Sequence, residues 1–138
     1  MPYFADSSND RTFTRGPTLA VANWSGHAGS RTLAAFAQAD YKLTPSTRLS
    51  TGLRFNRERI DVDFTNRIPA SPVNFKGENT DNAVTGKLAL QHDLAKAVMV
   101  YASYATGYKG AGYDISTGFD QSRVDRPVAP ETSKAYEL

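Results

Sequence analysis

Cysteine is absent from this 138-residue chain. That excludes a disulfide framework, a thiolate zinc site and a cysteine nucleophile, and leaves the compartment open. A basic stripe is absent too. The 16 Lys and Arg against 14 Asp and Glu leave a formal charge of only +2, and the basic residues are scattered singly, so no nucleic-acid partner is expected. No apolar run approaches the length of a membrane-spanning helix, and the opening MPYFADSSNDRTFTRGP lacks the basic start and apolar run of a secretory leader. Any membrane role therefore falls to strands.

What the chain does have is alternation. In TLAAFAQADYKL the odd positions Leu33, Ala35, Ala37, Ala39, Tyr41 and Leu43 are apolar, while Gln38, Asp40 and Lys42 stand between them. After the short link TPST, Leu49, Thr51, Leu53 and Phe55 share one parity, and Arg48, Ser50, Arg54, Asn56 and Glu58 the other. Val84, Leu88, Leu90 and Leu94 repeat the pattern, as do Val100, Ala102, Tyr104 and Tyr108 beyond a brief link near residues 95–97, and Tyr136 and Leu138 at the end. A period of two is the signature of strands with one apolar and one wet face. The expectation is about five antiparallel strands over residues 32–138, with long loops near residues 61–81 and 110–130, preceded by a loop-rich segment over residues 1–31 with a short strand at Thr18 to Asn23.

Short connections alternating with long ones are the pattern of a transmembrane barrel, with tight turns on one side and long loops on the other. A strand of about 12 residues spans near 40 Å, or about 28 Å when tilted by some 45°, enough to cross the hydrocarbon layer. On this reading the fold is all-β, an antiparallel up-and-down meander forming part of a transmembrane β-barrel. Tyr104 and Tyr108 then face lipid, and Tyr41 belongs to the opposite girdle. The alternative is a soluble β-rich binding module whose apolar face is a core and whose loops recognise a carbohydrate or a protein. Alternation by itself does not separate the two.

Motifs of catalysis are lacking. Gly107, Gly110 and Gly112 are followed by no Gly-Lys-Ser/Thr, so they read as loop rather than phosphate cradle. His27 and His92 have no partner at metal-ligand spacing, and Asp61 and Asp63 beside Arg57 and Arg59 read as a solvated or lumen-facing charge network before they read as an acid–base pair. The chain is expected to be no enzyme and to hold no metal or cofactor. The exposed aromatic and basic residues of the long loops, Tyr113, Phe119 and Arg123, are the candidates for ligand contact, because they combine stacking surface with attraction for anions.

VYASYATGYKGAGYD followed by PETSKAYEL resembles the C-terminal half of the barrel in TonB-dependent outer-membrane receptors, and FAQADYKLTPSTRLSTGLRFNRE is similar to another hairpin of that barrel. The resemblance covers Thr32 to Leu138. It implies a location in the outer membrane of a Gram-negative bacterium, and energy-coupled uptake of a scarce solute such as an iron–siderophore complex. The partners it implies are the lipid bilayer, a plug domain, the TonB energy-coupling protein and a small-molecule ligand. A family barrel has about 22 strands, so this chain reads as a fragment, which alone is expected to transport nothing.

Overall fold

The computed structural model describes residues 1–16 and 21–138. Six strands follow one another in a single antiparallel sheet whose spatial order is the chain order: β1 (Pro2–Arg15), β2 (Ala22–Thr44), β3 (Thr47–Asn66), β4 (Val73–Ala95), β5 (Val98–Lys109) and β6 (Glu131–Glu137). One short helix, α1 (Gln121–Asp125), interrupts the connection between β5 and β6. The β2–β3 turn is set by Pro45 and by the Thr44 hydroxyl, which donates to Thr47 Oγ1 at 2.9 Å and accepts from the Ser46 backbone N–H at 3.3 Å. The tight turns lie where TPST and the link near residues 95–97 predict them.

Register divides the sheet into two faces. Ala35, Ala37, Ala39 and Tyr41 stand opposite Phe55, Leu53, Thr51 and Leu49, which stand opposite Val84, Gly86, Leu88 and Leu90. Leu88 and Leu90 in turn oppose Tyr104 and Ala102, and the Tyr104 ring meets Tyr136 of β6 at 4.9 Å. All these residues share one face, and among the described residues no second layer covers it. Leu53 is 66% exposed, Val84 68% and Tyr136 73%. A soluble sandwich would bury this set, so the exposure decides against a core. The band from Leu33 to Leu43 runs about 33 Å along β2, or roughly 24 Å when tilted by some 45°, the height of the apolar belt of a membrane barrel. Opposite it, the inner face carries Gln38, Asp40, Lys42, Arg48, Arg54, Lys87 and Asp93, with an Arg48–Asp93 ion pair at 3.7 Å.

The strands are longer and more numerous than alternation predicts. Residues 1–31, expected to be loop, hold β1 and the first part of β2; Thr18 to Ala20 of the expected short strand fall outside the described residues, while Ala22 and Asn23 open β2. The expected loop over residues 61–81 shrinks to residues 67–72, because β3 and β4 continue as a ladder from Asp61↔Glu78 to Asn66↔Val73. The cause is solvent. Beyond the apolar belt a strand meets water on its outer face as well, so polar residues fill both parities and the period-two signal vanishes while the backbone ladder persists. Asp6, Ser7, Ser8, Asn9 and Asp10 pair with Arg31, Ser30, Gly29, Ala28 and His27 with no hydropathy contrast at all.

The packed core lies at the long-loop end, on the inner face. Trp24, Val62 and Phe64 of the wall meet Phe119 and Val124 of the β5–β6 connection, with Phe13, Phe75, Tyr113 and Ile115 around them.

Candidate functional site

The connection between β5 and β6 does not extend away from the sheet; it folds back over the inner face. The departure begins at Thr106. β5 pairs with β4 as far as Ala105↔Lys87, and there the Thr106 hydroxyl takes over, accepting from the Gly86 N–H at 2.8 Å and donating to the Gly86 carbonyl at 3.4 Å. A side chain thus fills the place of a ladder bond, and β5 separates from β4. The turned-back segment is closed at its base by paired bonds between Gly112 and Val128.

Two wall glycines receive it. A Cβ on Gly26 would stand 2.7 Å from Ile115 Cγ2, and one on Gly77 would stand 2.5 Å from Val124 Cγ1, so only glycine permits this approach. A run of rings continues the contact from Phe13 to Trp24 (5.6 Å), Phe64 (5.2 Å) and Phe119 (4.9 Å). The Trp24 indole N–H donates to Thr117 Oγ1 at 3.2 Å. Asp120 caps α1 by accepting from the Arg123 N–H, and this bond, together with the stronger one from the Ser122 hydroxyl, holds its carboxyl below the ordinary value.

The three loop residues singled out from sequence have different fates. Phe119 is 2% exposed and packs on Phe64, so it is a wall anchor and not an exposed aromatic. An apolar ring in a segment held against an apolar wall goes inward. Tyr113 is half-buried beside Gly77; burial first, then the Glu78 and Asp61 carboxylates, push its hydroxyl above the usual range. Arg123 is partly exposed, donating to Ser116 Oγ at 2.6 Å and lying 3.6 Å from Asp114. Tyr113 and Arg123 therefore sit on one folded-back segment, anchored by Phe119.

Tyr108 also departs from expectation. It lines an inner hollow with Thr32, Arg54, Asn56, Glu58 and Thr85, and its buried hydroxyl has no hydrogen-bond partner among the described residues. β5 keeps its register with β6 through Tyr108↔Thr132 but is unpaired from β4 beyond Ala105, and the ring lies over the inner hollow where the two strands part. In that hollow Arg54 Nε donates to Asn56 Oδ1 at 2.6 Å with its guanidinium 5.5 Å from the Tyr3 ring, and Ser30 donates to Glu58 at 2.9 Å. The shared parity of Arg54, Asn56 and Glu58 shows in the sequence, but not their meeting with Tyr108. Among the described residues no group of three or more His, Asp or Glu is arranged to hold a metal.

The family profile described as TonB dependent receptor-like, beta-barrel, matches residues 2–138. The chain belongs to that family. Relatives of this TonB-dependent receptor segment include the pesticin receptors of Yersinia enterocolitica and Yersinia pestis, each 29% identical over 124 residues, a match covering 88% of this chain and 18% of the relative. The crystal structure of the ferric yersiniabactin uptake receptor from Yersinia pestis superimposes on 98% of this chain and 21% of that one, with a TM-score of 0.84 at 24% identity. The chain thus spans about a fifth of the proteins it matches. TonB-dependent receptors are outer-membrane proteins of Gram-negative bacteria, so the exposed apolar face is a lipid face.

On that outer face, above the belt, the TonB-dependent receptor wall carries charge. Asp61, Asp63 and Arg59 lie here and not toward the lumen: Lys76 meets Asp63 at 2.8 Å and Arg59 meets Glu78. His27 Nδ1 lies 2.7 Å from Asp10, with Nε2 3.9 Å from Asp61. The bond to Asp10 raises the imidazole above 6.5, and the charges of Asp10, Asp61 and Asp63 add to it against a smaller desolvation. A raised folded value means that the charged imidazole contributes stability below about 6.5, lost as pH climbs through the folded value. His27 is therefore expected to titrate above 6.5 by NMR and to return toward it in Asp10→Asn. Identical midpoints in the two proteins would exclude the Asp10 contact as the cause.

Proposed function

We propose that this chain forms part of the wall and mouth of a receptor that takes up a scarce solute, of the iron–siderophore class, by energy-coupled transport across the outer membrane. The observation that carries the reading is the β5–β6 segment, clamped against the inner wall so that Tyr113 and Arg123 stand over the lumen side at the long-loop end. Barrels of this kind keep their short turns on the periplasmic side, which puts the clamped segment at the extracellular mouth. The names of the similar proteins, a pesticin receptor and a ferric yersiniabactin uptake receptor, support a receptor and not an enzyme. The plug domain, the TonB protein and the ligand are the partners this reading requires.

In the proposed site Arg123 attracts an anionic solute while Tyr113 offers a ring face for stacking. Phe119 holds both in place. Ferric yersiniabactin is the first probe. In the full-length receptor, Arg123→Ala and Tyr113→Ala together are expected to raise its Kd by roughly tenfold or more, the size of a lost charge-assisted contact. Binding by the parent receptor with unchanged affinity in the double variant would remove these residues from the site. A parent receptor that fails to bind this or any other ferric siderophore would remove the solute class.

A further inference from the structure

The lipid face ends in arginine. Cross-strand register arranges its upper part in rows, each two residues farther from the turn end. Near the top of the belt Pro2, Ala35, Phe55 and Val84 stand in line, and the belt's last row reads Phe4, Leu33, Arg57, Asn82. Above it come Asp6, Arg31, Arg59 and Thr80, then Ser8, Gly29, Asp61 and Glu78, then Asp10, His27, Asp63 and Lys76. Three guanidiniums therefore occupy the two rows nearest the hydrocarbon edge, and most of the carboxylates lie farther out.

Two features of these rows call for an anion from outside. Arg31 and Arg59 are direct cross-strand partners, and like charges directly opposite each other destabilise a sheet. Their carboxylates stand to either side rather than between them, Asp6 at 3.3 Å from Arg31 and Glu78 against Arg59. Arg57, diagonal to Arg31, is exposed and has no ion pair among the described residues. Each row rises about 5 Å along the membrane normal at a tilt of some 45°, and a headgroup layer is roughly 5–8 Å deep. The Arg57 row is thus the last of the apolar belt, and the Arg31–Arg59 row stands about 5 Å above it, within headgroup depth.

We infer that Arg31, Arg57 and Arg59 form a binding site for the phosphate headgroup of an outer-leaflet lipid whose acyl chains lie on the belt below. Charge complementarity and continuity with the lipid face both favour this occupant. Guanidinium matches phosphate by paired N–H donors, and a basic residue at a membrane surface contributes attraction that compounds over neighbours. The site owes nothing to the transported solute; it rests on the outer-membrane placement alone.

The test uses the full-length receptor in a neutral detergent, titrated with a short-chain phosphatidic acid, with the matching diacylglycerol and with inorganic phosphate. Expected is retention of phosphatidic acid at least tenfold tighter than diacylglycerol, weakened by salt, with no displacement by inorganic phosphate at equal concentration. R31Q/R57Q/R59Q is expected to abolish this preference, since about fivefold for each arginine compounds to roughly a hundredfold, while R31K/R57K/R59K, which keeps the charge and loses the paired N–H donors, retains part of it. Equal affinity for the two lipids, or an unchanged preference in the glutamine variant, overturns the assignment. Inorganic phosphate that competes on equal terms overturns it as well, since the site would then read a free ion and not a lipid. Should the glutamine variant fail to fold, the salt dependence and lipid preference of the parent protein decide alone.

Discussion

Phe119→Ala is expected to release the β5–β6 segment from the wall and leave the sheet intact. The ring is 2% exposed, 4.9 Å from Phe64, and it belongs to the same packed set as Trp24 and Val124. Truncating a buried phenylalanine costs about 3–5 kcal/mol. The segment has few other holds on the inner face: Val124 over Gly77, Ile115 over Gly26, the Trp24–Thr117 bond and the Gly112–Val128 pair at its base. The loss therefore falls on local opening, since the strands keep their own ladders. Hydrogen exchange over residues 110–130 should accelerate by about two to four powers of ten at this cost, while β2, β3 and β4 keep their protection. Wild-type exchange in the variant would show that the segment is held by something other than this ring. Exchange rising equally in the strands would show that the segment and the wall unfold as one unit.

What the sequence discloses here follows the solvent. Between Leu33 and Leu43, and in the strands beside them, lipid touches one face and water or polar groups the other, so Leu53 and Arg54 are told apart by parity alone. The tight turns at Pro45 and near Lys96 are equally legible, as short polar links between alternating runs. Above the belt that contrast disappears, which is why β1 and the outer parts of β2, β3 and β4 read as loop although they are paired throughout. The candidate site fails to show for a different reason. Its shape depends on long-range meetings, Ile115 with Gly26 and Val124 with Gly77, that no local pattern encodes. Tyr108 is hidden in the same way: beyond Ala105, where the Thr106 hydroxyl bonds Gly86 in place of a ladder bond, β5 stays paired with β6 but not with β4, and the ring comes to line the inner hollow. Phe119 was legible as an aromatic in a polar loop, but only its position over Phe64 makes it an anchor.

Leu53→Lys is expected to destabilise the full-length receptor in phospholipid vesicles by about 2–4 kcal/mol, the cost of a lysine near the middle of a barrel's lipid face. Leu53 pairs with Ala37 and Gly86 inside the belt and is 66% exposed, so its replacement meets acyl chains and no carboxylate. Gln38→Lys supplies the contrast. Gln38 follows Ala37, pairs with Gly52, and is exposed on the inner face near Arg54 and Lys87. There a lysine stays among polar groups, and the expected cost is within about 1 kcal/mol. Both values come from reversible denaturant titration in vesicles of one lipid, so that membrane thickness and net charge are the same for the pair. A large cost at Leu53 with a small one at Gln38 assigns the faces as described. Equal costs would mean that these two neighbours see the same surroundings, which a one-sided lipid wall does not allow, and the reverse order would turn the sheet inside out and take the arginine rows away from the headgroups.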